Sequence, residues 1–170
     1  MLAAKSAVGA DATTNDQFQT SSRGDYYRAQ ELSLDAFGSA AMWKDSIENG
    51  GRRVNHDVRF GAGLGANYFI TRYLGLGADV YSEDNANSFI ASTSANLILR
   101  LPLGCCGLAP YAFGGGGRQF AMARQWFAQF GAGLEYRFTR NIGVFIDARV
   151  VVPDRTDDYG LARLGLRFAF

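Results

Sequence analysis

Residues Trp126–Phe138 read Trp-Phe-Ala-Gln-Phe-Gly-Ala-Gly-Leu-Glu-Tyr-Arg-Phe. Every even position is apolar, and both charges, Glu135 and Arg137, fall on odd positions. After a short break at Thr139-Arg140-Asn141 the pattern resumes. Ile142, Val144, Ile146, Ala148 and Val150 alternate with a second set that includes Asp147 and Arg149. Side chains of a strand point alternately to opposite faces, so each apolar series is one uncharged face of a strand.

The same charge-free stripe recurs along the chain from about residue 31. Leu32, Leu34, Ala36, Ala40 and Met42 form one, and Val58, Phe60, Ala62, Leu64, Ala66 and Tyr68 another. Leu74, Leu76, Ala78 and Val80 follow, then Phe89, Ala91, Thr93, Ala95, Leu97, Leu99 and Leu101. Ala162, Leu164, Leu166, Phe168 and Phe170 make the last. Strands are predicted near 30–43, 57–69, 73–82, 88–101, 108–118, 125–138, 141–152 and 159–170. The fold class is all-β, an eight-stranded antiparallel up-and-down transmembrane β-barrel, whose sequence signal is this alternation. The barrel takes residues 29–170. Residues 1–28, rich in Ala, Ser, Thr, Asp and Gln without a period, read as a flexible periplasmic leader.

Composition narrows the class. A formal charge of +1 in 170 residues argues against a nucleic-acid partner. No apolar run approaches the ~20 residues of a membrane helix, which leaves a barrel wall open. Met1 to Ala12 has a lysine and a small-residue end but no apolar core of signal-peptide type. Either a signal lies upstream of this numbering or the chain is not exported; the strength of the barrel pattern favours the first.

A soluble barrel would show the same alternation with the apolar face turned inward. Three features weigh against it. The polar parity is loaded with glycine (Gly61, Gly63, Gly65, Gly75, Gly77, Gly131, Gly133, Gly143 and Gly165), and a narrow eight-stranded interior needs small residues beside long ones. Its charges nearly balance. Arg59, Arg100, Arg137, Arg149, Arg163 and Arg167, joined by Arg118, face Glu31, Asp35, Asp57, Asp79, Glu135 and Asp147. Every cation is arginine, whose forked donors suit buried pairing. Aromatics also gather at segment ends: Trp43, Tyr81, Phe89 and Trp126 toward one rim, Tyr68, Tyr111, Tyr136, Phe138, Phe168 and Phe170 toward the other. Such residues would form the two aromatic girdles of a membrane barrel.

An internal repeat is visible. Gly61-Ala62-Gly63-Leu64 recurs as Gly131-Ala132-Gly133-Leu134, and Thr71-Arg72-Tyr73-Leu74-Gly75-Leu76 as Thr139-Arg140-Asn141-Ile142-Gly143-Val144. Asp79 then matches Asp147. Duplication of a half-barrel and convergence of ordinary hairpins both account for it.

The ending Leu166-Arg167-Phe168-Ala169-Phe170 resembles the signal that the barrel-assembly machinery reads on bacterial outer-membrane proteins. The segments Tyr68–Leu76 and Ala109–Gly117 resemble the small eight-stranded family that includes the OmpA membrane domain and OmpX. The resemblance covers about residues 30–170. It implies a bacterial outer-membrane location with both termini periplasmic, and a role as anchor, adhesin or assembly component. It also implies contact with outer-membrane lipid or lipopolysaccharide and with the assembly machinery through Leu166, Phe168 and Phe170. Another envelope protein could dock on residues 1–28. The chain's outer loops read as short for an adhesin, and a peptidoglycan-binding role is not expected of residues 1–170.

No catalytic, cofactor or metal site is expected. Gly114–Gly117 lacks the Lys-Ser/Thr and the helix that a phosphate loop needs. His56 sits beside Asp57 without a nearby serine, so an outer-membrane lipid-modifying enzyme is a minor alternative. Glu83, Asp84, Asn85 and Asn87, like Asp154, Asp157 and Asp158, lack the spacing of a calcium loop. Adjacent Cys105 and Cys106 form a vicinal disulfide or simply occupy a turn. A soluble lipocalin-like binder with an apolar cavity is the other alternative. The inward charges fill the lumen, so no large channel is expected.

Overall fold

The computed structural model describes residues 26–43, 58–83, 90–104, 106–120 and 124–170. Eight strands follow one another: β1 (Glu31–Trp43), β2 (Val58–Phe69), β3 (Leu74–Glu83), β4 (Ser92–Arg100), β5 (Leu108–Gln119), β6 (Gln125–Arg137), β7 (Ile142–Pro153) and β8 (Tyr159–Ala169). Each pairs antiparallel with the next, and β8 returns to β1, so the barrel closes with no free edge. Closure satisfies every ladder hydrogen bond within the wall, as a lipid environment demands.

The two hairpins of the internal repeat turn in the same way. The Thr71 hydroxyl accepts hydrogen bonds from the N–H groups of Tyr73 and Leu74 at 3.2 and 3.0 Å. The Thr139 hydroxyl accepts them from Asn141 and Ile142 at the same distances. A threonine hydroxyl standing in for a backbone acceptor explains why Thr-Arg recurs at both turns. These turns and the Leu101–Gly107 connection define one end of the barrel, called here the turn end. Described residue 26 and Phe170 lie at the same end; the opposite one is the loop end.

The apolar stripes face outward and the charged parity faces in. Leu97, Leu164 and Phe130 are more than half exposed, whereas Arg100, Arg137, Arg149 and Arg167 are at most 3% exposed. This is the reverse of a soluble barrel.

The inward glycines have a specific job. Phe37 pairs with Gly63 and Gly165, Phe69 with Gly75, Tyr111 with Gly133, Phe113 with Gly131, and Phe127 with Gly117. A Cβ at Gly63 would lie 2.5 Å from the Phe37 ring, and one at Gly75 would lie 2.6 Å from Phe69. Each ring lies over the space that a missing side chain leaves across the strand pair.

Four expectations need correction here. Tyr111 and Tyr81 are buried in the lumen and do not belong to the girdles. Arg118 shares the outward parity of Ala112 and lies exposed on the wall, not in the lumen. The Gly114–Gly117 run had masked which parity of β5 faces in. Ala91, read as part of an outward stripe, is 1% exposed. Its N–H bonds the Tyr81 carbonyl and its carbonyl accepts from Phe120, which ties it into the loop end before β4 begins.

Ile146 lies on the outward face of β7, 56% exposed. Ile146→Arg should destabilise the folded barrel in lipid by ~2–4 kcal/mol, the range for a cation at mid-membrane. Denaturant titration in lipid vesicles measures it; a change under 0.5 kcal/mol would mean that this face meets water.

Candidate functional site

Ten ionised side chains are buried inside the described barrel. Five are carboxylates (Glu31, Asp35, Asp79, Glu135 and Asp147) and five are guanidinium groups (Arg100, Arg137, Arg149, Arg163 and Arg167). Charges in a narrow lumen must be neutralised by partners, and here each is reached from another strand.

Toward the turn end, Arg137 donates to both oxygens of Glu31 at 2.6 and 2.8 Å and to Glu135 at 2.6 Å. Arg100 donates to Glu31 at 3.0 Å. Arg167 forks onto Asp35 with two bonds of 2.7 Å and reaches Glu135 at 2.6 Å. Asn67 adds a third donor to Asp35 at 2.8 Å. Nearer the loop end, Arg163 forks onto Asp147 at 2.9 and 2.7 Å and touches Asp79 at 3.3 Å. The Tyr111 hydroxyl donates to Asp147 at 2.8 Å. Ser94 and Asn96 donate to Asp79, and Gln129 links them to Arg149. Forked guanidinium–carboxylate pairs fix direction as well as distance.

Aromatic rings complete the filling. Arg100 stands 3.5 Å over Phe69, Arg163 4.6 Å over Phe37, Arg149 4.8 Å over Phe113 and Arg167 5.0 Å over Phe145. The rings hold cations on their negative faces where carboxylates alone do not enclose them. The sequence reading missed this set. Its signal was the run of aromatics on the charged parity opposite glycines.

Each end is closed differently. At the loop end, Tyr81 and Tyr159 share a hydroxyl contact of 3.2 Å among buried Phe127, Val151 and Leu161. At the turn end the chain preceding β1 serves as the cap. Tyr27 is 3% exposed, its hydroxyl donates to the Gly107 carbonyl at 2.8 Å, and Arg137 donates to the Tyr26 carbonyl at 2.7 Å. The Tyr27 ring lies 4.6 Å from the Arg100 guanidinium and 4.4 Å from that of Arg137. Gly107 has φ +66, and a Cβ there would strike the Arg137 carbonyl at 2.6 Å, so only glycine fits this contact.

Other named residues fall as follows. Asp57, His56 and Phe89 lie outside the described residues, as do 1–25 and the side chain of Trp43. Arg59 is on the inward parity of β2, half-buried near the loop end. Tyr68, Trp126, Tyr136 and Phe138 are exposed on the wall, the last two in edge-to-face contact at 5.2 Å. Leu166, Phe168 and Phe170 lie exposed along the outer face of β8 and its end. Asp154, Asp157 and Asp158 are exposed between β7 and β8.

Two outcomes test this interior. Arg167→Met leaves Asp35 buried without a cation and takes from Glu135 one of its guanidinium partners, and should lose ~3–5 kcal/mol of unfolding free energy. Arg155→Ala, at an exposed site, should stay within ~0.5 kcal/mol. Equal effects would show that the pairs are not needed. Burial pushes the Tyr27 phenol above its ordinary value of ~10, helped by the Glu135 carboxylate and opposed by the arginines. A group whose folded value is raised contributes fully below its unfolded value and loses that contribution as pH rises through the folded one. Unfolding midpoints measured from pH 9 upward should therefore fall more steeply for the native chain than for Tyr27→Phe. Parallel curves would refute the assignment.

No protein-family model and no curated protein sequence matches the chain. Solved structures do. The N-terminal β-barrel domain of Pseudomonas aeruginosa OprF is 22% identical, with 84% of this chain and 99% of that one covered, at a TM-score of 0.60. A de novo designed transmembrane β-barrel is 14% identical, covering 84% and 98%, also at 0.60. Ail, the attachment invasion locus protein of Yersinia pestis, is 15% identical, covering 84% and 99%, at 0.58. The chain shares the fold of small eight-stranded transmembrane barrels.

Proposed function

We propose that this chain is a non-enzymatic barrel of the bacterial outer membrane, serving the envelope as a structural or interaction component. The observation that carries the reading is the outer wall. Across all eight described strands its outward positions hold a single charge, Arg118. A wall of that composition suits acyl chains and suits water poorly. Short turns mark the periplasmic side of such barrels, so both ends of the barrel chain are assigned to the periplasm and the longer loops to the exterior.

The interior supports a role without catalysis. Each of the five buried carboxylates holds a guanidinium partner, and the Tyr111 hydroxyl is committed to Asp147. Function then resides in contacts. The outer face of β8 around Leu166, Phe168 and Phe170 is offered to the assembly machinery. Tyr26 and Tyr27 dock at the turn-end mouth, and the leader of residues 1–28 is the segment proposed to meet an envelope partner.

Expressed with an export signal in a Gram-negative host, the protein should fractionate with the outer membrane. It should also migrate differently on SDS gels before and after boiling. In planar bilayers it should give no large stable channels, because an eight-stranded lumen is filled by side chains. Recovery in the soluble fraction, or steady porin-sized conductance, would overturn the proposal.

A further inference from the structure

The one charge on the wall has company. Arg118 pairs in register with Trp126, and Gln119 with Gln125. One position further toward the loop end stand Phe120 and Arg124, both exposed. Arg118 and Trp126 thus face each other on the outer wall, with an exposed ring and an exposed arginine just past the last register pair of β5 and β6. The Arg118 guanidinium lies 5.7 Å from the Phe120 ring and 5.7 Å from the Trp126 ring. Neither arginine makes an ion pair with a described residue. The exposed Asp154 lies across Trp126, where its N–H bonds the Trp126 carbonyl at 3.1 Å.

Below this patch the wall is shallow. Gly116 and Ala128 lie two residues beneath Arg118 and Trp126 on the same face. They continue in register through Ala95 and Ala78 to Ala66, so one row of minimal side chains crosses five strands. Leu97 and Phe130 stand along one side of the row, each more than half exposed. A furrow of this kind lets an acyl chain lie close against the backbone, while aromatic residues settle at headgroup level.

We infer that the Arg118–Arg124 patch binds a phosphate of lipid A, the phosphorylated glycolipid anchor of lipopolysaccharide, with an acyl chain in the furrow below. Charge selects the occupant. A phosphate monoester carries ~1.5–2 negative charges near neutral pH, which two guanidinium groups match. The phosphodiester of a common phospholipid carries only one. Guanidinium forks engage phosphate oxygens in pairs. The inference rests on the orientation proposed above, which places the loop end in the outer leaflet.

The test uses the full chain folded in neutral detergent, with native mass spectrometry reading retained lipid. The native protein should retain lipid A phosphorylated at both sugars in preference to dephosphorylated lipid A and to phosphatidylglycerol. Arg118→Gln with Arg124→Gln should weaken retention by about tenfold or more, while Arg155→Gln should leave it unchanged. Boiling-dependent gel mobility confirms that each variant is folded. Equal retention by the double variant, or equal retention of dephosphorylated lipid A, overturns the site. Phosphatidylglycerol held as well as lipid A overturns the choice of lipid. Fractionation away from the outer membrane would instead defeat the cellular assignment, and is read separately.

Discussion

A lumen eight strands wide has no room for water-solvated charge, so every ionised group pointing inward must be met by a partner from across the barrel. That constraint organises the molecule. Glu31 of β1 is gripped by Arg100 of β4 and Arg137 of β6. Arg167 of β8 spans Asp35 of β1 and Glu135 of β6, and Arg163 of β8 spans Asp79 of β3 and Asp147 of β7. Arg167–Asp35 and Arg163–Asp147 reinforce neighbouring strands, whereas Glu31 with Arg100 and Arg137, Arg167 with Glu135, and Arg163 with Asp79 brace strands that do not pair in the sheet. They also choose the register. A slip of β8 by two residues keeps its apolar face outward but shifts Arg163 and Arg167 by ~6–7 Å along the barrel. Their forked geometry on Asp147 and Asp35 could not survive that shift.

Much of this was legible in the chain. The stripes at Trp126–Phe138 and Ile142–Val150 located β6 and β7 within a residue or two, because a face that carries no charge is unambiguous. The turn threonines announced themselves by repeating. Strand β5 was harder. Tyr111 and Phe113 are aromatic on the inward face while Ala112 and the glycines are bland on the outward one, so hydrophobicity no longer distinguishes lipid from lumen. Arg118 was misplaced for the same reason. The aromatic filling was hidden because sequence shows a phenylalanine and a glycine on different strands. Only register shows that Phe37 lies over Gly63. The Tyr27 cap was similarly invisible, since Gly107 and Arg137 lie 80 and 110 positions away along the chain.

A barrel sealed in this way leaves three surfaces on which biology can act. The mouth at the turn end is closed by a short stretch of the chain itself, Tyr26 and Tyr27. The wall is apolar except where Arg118 meets Trp126 and Phe120. The loop end is capped by the paired hydroxyls of Tyr81 and Tyr159 over an apolar layer. The interior spends its chemistry on rigidity, and a rigid closed scaffold is what positions contact residues best.

The central claim is the direction in which the two parities point. Spin labels placed one at a time at Leu97, Ile146 and Leu166, with both native cysteines replaced by serine, report it in reconstituted bilayers. The account requires frequent collision with dissolved oxygen and little with a water-soluble nickel complex at all three positions. Labels that collide freely with nickel and are shielded from oxygen would contradict it.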